Sequence, residues 1–263
     1  MENNQNQPRG FLRRSIDLHR ADLHTVVGWL EDDFHHFCVS LVHDGQTILR
    51  VDTQARRYPW STCPGAELAL QALVGQPMVS RASDIGNLIE MRLHCTHLFD
   101  LAGLVSAHAV GQRKHRRYDL IVDDREVLEA DPALGIPLAL GPGNAVLFQD
   151  GSEVLRWTLE DQHISMPLIH AGQSLQRGFR EWTERMPEEE AEHATVLRRA
   201  IMVGAGRLMN LECFDTADQL GRPPVCYTFQ HDHSAQARRM PDSRYDYSRH
   251  VKLPLSNLDN EDP

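Results

Sequence analysis

A chain of 263 residues is long enough to bury one substantial core. Its 37 acidic and 27 basic residues give a formal net charge of -10 at pH 7, which argues against nucleic-acid or anionic-membrane partners and favours a small-molecule ligand. No apolar run approaches the roughly 20 residues that span a bilayer, and the opening MENNQNQPRG has no hydrophobic signal region, so we expect no membrane segment and a cytoplasmic location.

The chain is predicted to form a single domain over residues 1–263, with flexible ends at 1–10 and 255–263. Its five cysteines, at positions 38, 63, 95, 213 and 226, include no CxxC pair. Neither a zinc ribbon nor a disulfide framework is therefore indicated, and free thiols are expected.

Residues 11–52 have the pattern of a strand meander. Asp44-Gly45, between the last two candidate strands, is a strong hairpin signal. Alternation places Phe37, Val39 and Leu41 on one face, which we expect to be buried. The four candidate strands are FLRRSIDLHR, LHTVVGWLED, HFCVSLVH and QTILRVD.

A helix that ends at Gly75 is predicted to follow the meander, with Ser61 or Thr62 as its cap. Cys63 would then lie at the helix N-terminus, in an electropositive setting formed by Arg56, Arg57 and Tyr58. Such a setting can hold a carboxylate or a phenolate. The alternative is a capped helix whose arginines are merely solvated.

The stretch Met91–Gly111, MRLHCTHLFDLAGLVSAHAVG, carries more chemistry than helix packing needs. Its apolar residues recur at helical spacing and form a core-facing stripe of Leu98, Leu101, Val105 and Ala109. Thr96 is predicted to cap this helix, which places His97 in the first turn and Asp100 beside it. The same helix end would lower the pKa of Cys95 if its sulfur folds back over it. The alternative is a core helix with incidental histidines.

Two further hairpins are predicted over residues 117–131 and 144–161, with a loop at 134–144 between them. After Gln173 the pattern becomes helical and indicates a hairpin of two helices that packs over the sheet or forms a dimer surface. The predicted fold is α+β: an antiparallel curved sheet or partial barrel built from hairpins, with packed helices and a C-terminal helical hairpin. A homodimer is the expected state.

The C-terminal tail combines poor periodicity with many polar and aromatic residues, which is typical of a segment that closes a site. His231 and His233, if extended, project to the same side. They can then ligate a metal together with a residue from the set Asp33, His35 and His97. No HExxH or other metal signature supports this alternative, so neither a metal nor another cofactor is expected.

Four sequence blocks, in their order and spacing, resemble the bacterial DUF2889 family over nearly the whole chain. They are DDFHHFCVSLVHDG, ARRYPWSTCPGA, HCTHLFDLAGLVSAHA, and VCYTFQHDHSAQARRM with a following YDYS. The family name brings no established general activity. The resemblance implies an association with bacterial breakdown of aromatic compounds. It also implies the loss of a hydroxymethyl group as formaldehyde from lignin-derived dimers such as phenylcoumarans.

That lyase reaction needs a base for the hydroxyl proton, a para-phenol as electron sink through a quinone methide, and a donor for the released phenoxide. None of these roles needs a cofactor. His97, oriented by Asp100, suits the base, and Arg57, Tyr58 or Tyr227 can stabilise the phenoxide. The residues expected to bind an aromatic substrate are Trp29, His36, Trp60, Cys95, Phe99, His231 and His233.

Two other classes of protein would use the same residues. A small-molecule binding or accessory protein of aromatic catabolism would have the same cleft, with its histidines only hydrogen-bonded. A metal-dependent hydrolase would use the His and Asp side chains as ligands. A metal analysis coupled to a formaldehyde assay discriminates the three.

Overall fold

Ten strands occur in residues 10–258, the part of the chain that the computed structural model describes. They are β1 Phe11–Arg20, β2 Thr25–Asp32, β3 His36–His43, β4 Ile48–Arg57, β5 His115–Asp123, β6 Val127–Ala130, β7 Pro137–Leu140, β8 Gly143–Gln149, β9 Ser152–Glu160 and β10 His163–Met166. Eight form one open sheet in the order β10-β9-β8-β5-β1-β2-β3-β4, and β6 pairs with β7 separately. Every pairing is antiparallel, which confirms the predicted α+β class.

The α-helices in the same part of the chain are α1 Ala66–Ala69, α2 Thr96–Val110, α3 Phe179–Thr183, α4 Glu188–Gly204 and α5 His231–Ser234. Helix α2 packs on β1, β2 and β3, whereas α4 packs on β1, β5, β8 and β9. Residues from both helices and from one face of the sheet belong to a single large core cluster. The helix that carries the candidate catalytic residues, α2, therefore lies directly against the first three strands.

The predicted meander agrees closely with β1 to β4, which lie side by side in the sheet. Gly45 in the turn between β3 and β4 has a φ of +100°, a conformation that favours glycine. Phe37, Val39 and Leu41 are all fully buried on the core face. Alternation and the Asp-Gly turn were therefore sufficient to place these strands.

The predicted hairpin over residues 117–131 is wrong. Strand β5 pairs with β1 on one side and β8 on the other, so neither of its edges is free for β6. The segment 134–144, predicted as a loop, contains β7 instead, which pairs with the exposed β6. The hairpin of β8 and β9, predicted over residues 144–161, is present.

The helix predicted to end at Gly75 is broken into three short pieces, the 3₁₀ turn Cys63–Gly65, α1 and the 3₁₀ turn Leu70–Leu73. The Thr62 side chain makes no capping hydrogen bond. Ser61 uses its hydroxyl oxygen to accept the N–H of Arg238 from the tail. The C-terminal helical hairpin consists of the short α3 and the longer α4.

Gly28 brings α2 unusually close to β2. A Cβ atom on Gly28 would lie 2.5 Å from Cγ2 of Val105 and 3.0 Å from Cδ1 of Leu101. Only a residue without a side chain fits beneath the helix at this distance. The close approach holds the second and third turns of α2, which carry Leu101 and Val105, against the middle of β2.

The opposite face of β2 and β3 carries a small cluster of Val27, Trp29 and Cys38. Leu255 covers this cluster, and its N–H donates to Oε2 of Glu31 at 2.7 Å. Of the two ends predicted to be flexible, 1–10 and 255–263, the parts at residues 1–9 and 259–263 lie outside the described residues. Among the described helices, none combines the length and the apolar character that a bilayer crossing requires.

Candidate active site

Two histidines and one carboxylate meet where the first turn of α2 covers the turn between β2 and β3. Asp32 ends β2, His35 precedes β3, and His97 is the second residue of α2. One potential ligand atom from each of the three residues lies within 4.8 Å of the others. We call this group the Asp32–His35–His97 cluster.

Asp32 is fully buried and is the anionic centre of the cluster. Its Oδ1 accepts the backbone N–H groups of Phe34 at 2.8 Å and His35 at 2.9 Å, and its Oδ2 accepts Nη1 of Arg14. Burial acts to raise the pKa of Asp32, but His35 and Arg14 outweigh it and hold that pKa far below its usual value. Asp32 is therefore ionised at any physiological pH.

His35 is oriented by this carboxylate. Its Nδ1 lies 2.9 Å from Oδ1 of Asp32. Since a carboxylate only accepts hydrogen bonds, Nδ1 of His35 carries the proton of this hydrogen bond. The ring of His35 stacks on that of His97 with centroids 3.8 Å apart and an angle of 29° between the planes.

His97 carries an unused nitrogen. Its Nε2 is buried and has no hydrogen-bond partner within residues 10–258, and its Nδ1 lies 3.8 Å from Sγ of Cys95. Burial, together with the nearby His35 and Arg14, holds the pKa of His97 well below its usual value, although Asp32 acts in the opposite direction. The imidazole is therefore neutral at pH 7.

The predicted orientation of His97 by Asp100 is wrong. Asp100 pairs with Arg199 of α4, with 2.5 Å between Nε and Oδ2 and 3.4 Å between Nη2 and Oδ1. The guanidinium approaches both carboxylate oxygens, and such a fork matches carboxylate geometry better than an imidazole does. The carboxylate that orients a histidine here is Asp32, and that histidine is His35.

Cys95 also differs from its prediction. It occupies the cap position of α2, which begins at Thr96, and no side chain caps the helix. Burial raises the pKa of the Cys95 thiol far above its usual value, contrary to the predicted lowering. Cys95 is therefore a protonated thiol at pH 7 and not a nucleophile.

A cavity of about 510 Å³ lies between the sheet, α2, α3 and α4. Its wall includes Arg14, Phe99, Asp100, Phe179 and Arg199. None of Asp32, His35 and His97 lines this cavity. Its wall is linked to the Asp32–His35–His97 cluster through Arg14, which binds Asp32, and through the turn of α2 that carries Asp100. Of the predicted substrate-binding aromatics, Phe99 is the one found in this wall.

Arg57 and Tyr58 lie outside the cavity wall. Arg57 uses Nη2 to donate to Oε1 of Glu31 at 3.0 Å and to the backbone oxygen of Asp32 at 2.6 Å. It supports the turn that carries His35, so its position favours a structural role over the predicted binding of phenoxide. Tyr58 packs between two core clusters.

The tail reaches the start of α2 at Tyr227, whose N–H donates to the backbone oxygen of His94 at 2.9 Å. The Tyr227 and His233 rings lie 4.0 Å apart. His231 and His233 belong to α5 and are not extended, and His231 is exposed. Neither joins the described group of potential metal ligands.

Trp29 and His36 lie away from the cavity, with their rings 5.5 Å apart. Trp29 packs in the cluster on the opposite face of the sheet, because successive strand residues point to opposite faces. Trp60 is buried in a second core cluster with Cys63. Trp29 and Trp60 therefore do not line the cavity, contrary to the prediction that they bind an aromatic substrate.

Sequence reasoning missed Arg14 and the role of Asp32. Arg14 is 1% exposed, at a core-facing position of β1 between Leu12 and Ile16. It lies directly opposite Asp32 in the register of β1 and β2. An arginine and an aspartate at opposed inward positions of a predicted hairpin were the available signal, because buried charges must be paired.

The fold and this site define an α+β protein with an open antiparallel sheet and a buried Asp–His–His cluster. The model of a family described as "Protein of unknown function (DUF2889)" matches residues 17–111, which include all three residues of the cluster. The predicted resemblance to DUF2889 is confirmed over this part of the chain. No curated protein and no solved structure matches the chain.

Proposed function

We propose that this protein is a cofactor-independent carbon–carbon lyase that releases formaldehyde from the hydroxymethyl group of a lignin-derived phenolic dimer. The observation that carries the proposal is a pair of buried imidazoles linked to a cavity through Arg14, which lines the cavity and binds Asp32. His35 is oriented by Asp32 and stacked on His97, and Nε2 of His97 is buried without a partner in the described chain. A histidine is the side chain that general-base catalysis uses most often.

The proposed reaction begins when an ionised para-phenol of the substrate opens the benzylic ether, which produces a quinone methide and a phenoxide. His97 takes the hydroxyl proton, and the bond between the hydroxymethyl carbon and its neighbour breaks. Formaldehyde leaves, and the electron pair of that bond restores the aromatic ring. The proton passes to the phenoxide, so neither an oxidant nor a reductant is consumed.

Arg14 and Arg199 are proposed to stabilise the phenoxide in place of Arg57 and Tyr58. Both line the cavity, and both act electrostatically on His97. A fixed guanidinium in a site of low dielectric stabilises developing negative charge without reorganisation. The cavity volume of about 510 Å³ is within the usual range for a ligand of this size.

The test uses chelator-treated protein and a phenylcoumaran dimer with a free para-phenol, and formaldehyde is measured. The matched control substrate is the same dimer with that phenol methylated, which removes the electron sink. The proposal predicts formaldehyde from the phenol and none from its methyl ether. Tight binding without turnover would favour an accessory protein, and the absence of both would contradict a phenolic dimer as ligand.

A metal-dependent hydrolase is the second candidate, favoured by the three potential ligand atoms within 4.8 Å. The contacts of Asp32 argue for the metal-free reaction, because its oxygens already accept four donors, one of them the cationic Arg14. Turnover that appears only after addition of zinc, iron or manganese would support this candidate. The cytoplasmic location and the homodimer stay predictions.

A further inference from the structure

We propose that the cavity selects an aromatic substrate that carries a carboxylate, and that Arg198 binds this carboxylate. The inference rests on the proposed function only in placing the substrate in this cavity. It concerns recognition and not the chemical step. Its evidence is the balance of charges in the cavity wall.

Most arginines of the wall are neutralised by a carboxylate. The pairs are Arg14 with Asp32, Arg180 with Glu184, and Arg199 with Asp100. Arg81 differs, since it donates only to the backbone oxygens of Thr183 at 3.3 Å and Met186 at 2.9 Å. Arg198 also lacks an ion-pair partner within residues 10–258, so the wall has two cations that no carboxylate neutralises.

The Arg198 guanidinium is held in place by two contacts. Its Nε donates to the backbone oxygen of Leu175, and its central carbon lies 4.8 Å from the centre of the Phe179 ring. Its two terminal nitrogens have no hydrogen-bond partner in the described chain. Burial and the neighbouring Arg199 lower the pKa of Arg198 to about 10, although Asp100 acts in the opposite direction, so the group is still charged at pH 7.

The acidic side chains of the wall form no ion pair with Arg198, and Asp100, which acts on it electrostatically, is paired with Arg199. Glu90, Glu181 and Glu188 are exposed to solvent. Glu192 is already bound, because its Oε1 accepts Nη1 of Arg116 at 3.1 Å and the hydroxyl of Tyr118. The unneutralised charge therefore lies on the arginines.

A carboxylate is the anion that fits best. A guanidinium held by one nitrogen and by a ring still presents its terminal nitrogens, which can donate to a planar carboxylate. Phe179 offers an apolar surface beside it for the aromatic part of the ligand. An aromatic carboxylate therefore matches both features with one molecule.

The test measures the dissociation constants of a hydroxylated biphenyl carboxylate and of its primary carboxamide by isothermal titration calorimetry. The two probes have nearly the same shape and differ in charge. We expect the wild-type protein to bind the carboxylate roughly 10- to 100-fold more tightly, the usual range for a hydrogen bond to a charged group. This comparison needs no variant and does not depend on turnover.

Three variants then assign the preference to Arg198. Arg198→Gln should lose most of the preference, although the charge of Arg81 stays in the wall, and Arg198→Lys should keep more of it. Arg185→Gln, an exposed arginine outside the cavity wall, should bind as the wild type does. Equal affinity of the wild type for the two probes, binding of neither, or a preference that is undiminished in Arg198→Gln would each overturn the inference. Formaldehyde release together with equal affinities for the two probes would overturn this inference and would still support the proposed lyase activity.

Discussion

The imidazole rings of His35 and His97 are stacked with their centroids 3.8 Å apart. Two imidazolium ions at this distance would repel each other strongly, so both rings are not charged together. His35 is fixed by Asp32 through Nδ1, whereas Nε2 of His97 is unpaired in the described chain. The two rings therefore have different surroundings, and His97 is the one that we propose as the base.

Asp32→Asn should destabilise the fold strongly. The substitution leaves Arg14, which is 1% exposed, without its negative partner. Breaking a buried ion pair by removing one partner costs about 3–5 kcal/mol. Chemical denaturation measures the free energy of unfolding. The matched control is Asp52→Asn, whose exposed pair with Arg50 should contribute less than about 0.5 kcal/mol; equal losses in the two variants would contradict the assignment.

Gly103→Ala should also destabilise the protein, because a Cβ at this position would lie 2.3 Å from the backbone oxygen of Ala82. Overpacking of this kind costs about 1–3 kcal/mol. Gly86→Ala is the control, since its Cβ would have its nearest neighbours at 3.4 and 3.6 Å. Thermal unfolding of both variants compares them. A Gly103→Ala variant as stable as Gly86→Ala would mean that α2 is less closely packed than described.

Local sequence patterns were sufficient for β1 to β4 and for β8 and β9. Alternating apolar residues and the Asp-Gly turns, at Asp44-Gly45 and Asp150-Gly151, are local signals that act between neighbouring strands. The failure at residues 117–131 has a different origin. Strand β5 pairs with β1, almost a hundred positions away in the register of Leu18 with Arg116, and no local pattern encodes such a partner.

The candidate site was predictable in part for the same reason. The density of polar residues in the first turn of α2 indicated His97, and helical spacing correctly placed Asp100 near it. The partner of Asp100 is Arg199, which approaches from α4 and is 99 positions away. Prediction of the pair of Asp32 and Arg14 required the register of β1 and β2. The predicted meander implied this register, but the two residues were not matched through it.

The buried thiols should be inert toward alkylation in the native protein. Burial raises the pKa of Cys38 to about 12 and that of Cys63 to about 11, and it raises that of Cys95 further. Iodoacetamide at pH 8 should therefore label the exposed Cys213 first, as peptide mass spectrometry would show. Denatured protein, in which all five cysteines react, is the control. Labelling of Cys95 before Cys213 would show that Cys95 is a reactive thiol and would contradict the prediction.

His108 should make stability depend on pH. Burial lowers the pKa of this imidazole to about 4, so the folded state binds its proton later than the unfolded state does as the pH falls. The contribution of His108 to the free energy of unfolding is fully present above the ordinary pKa of about 6.5. It is lost as the pH falls from there to about 4. His108→Leu should reduce the loss by at most about 1.4 kcal/mol per pH unit. Denaturation at pH 7 and pH 5 tests this, and identical pH slopes would contradict it.

The most direct test of the proposed base is the rate of formaldehyde release by His97→Gln. The lyase account predicts a rate lower by a factor on the order of 100 to 10,000, the usual contribution of a general base. Stability should change little, because no large apolar volume is emptied. His163→Gln, at an exposed position of β10, should keep the wild-type rate. A folded His97→Gln protein that releases formaldehyde at the wild-type rate would contradict the account.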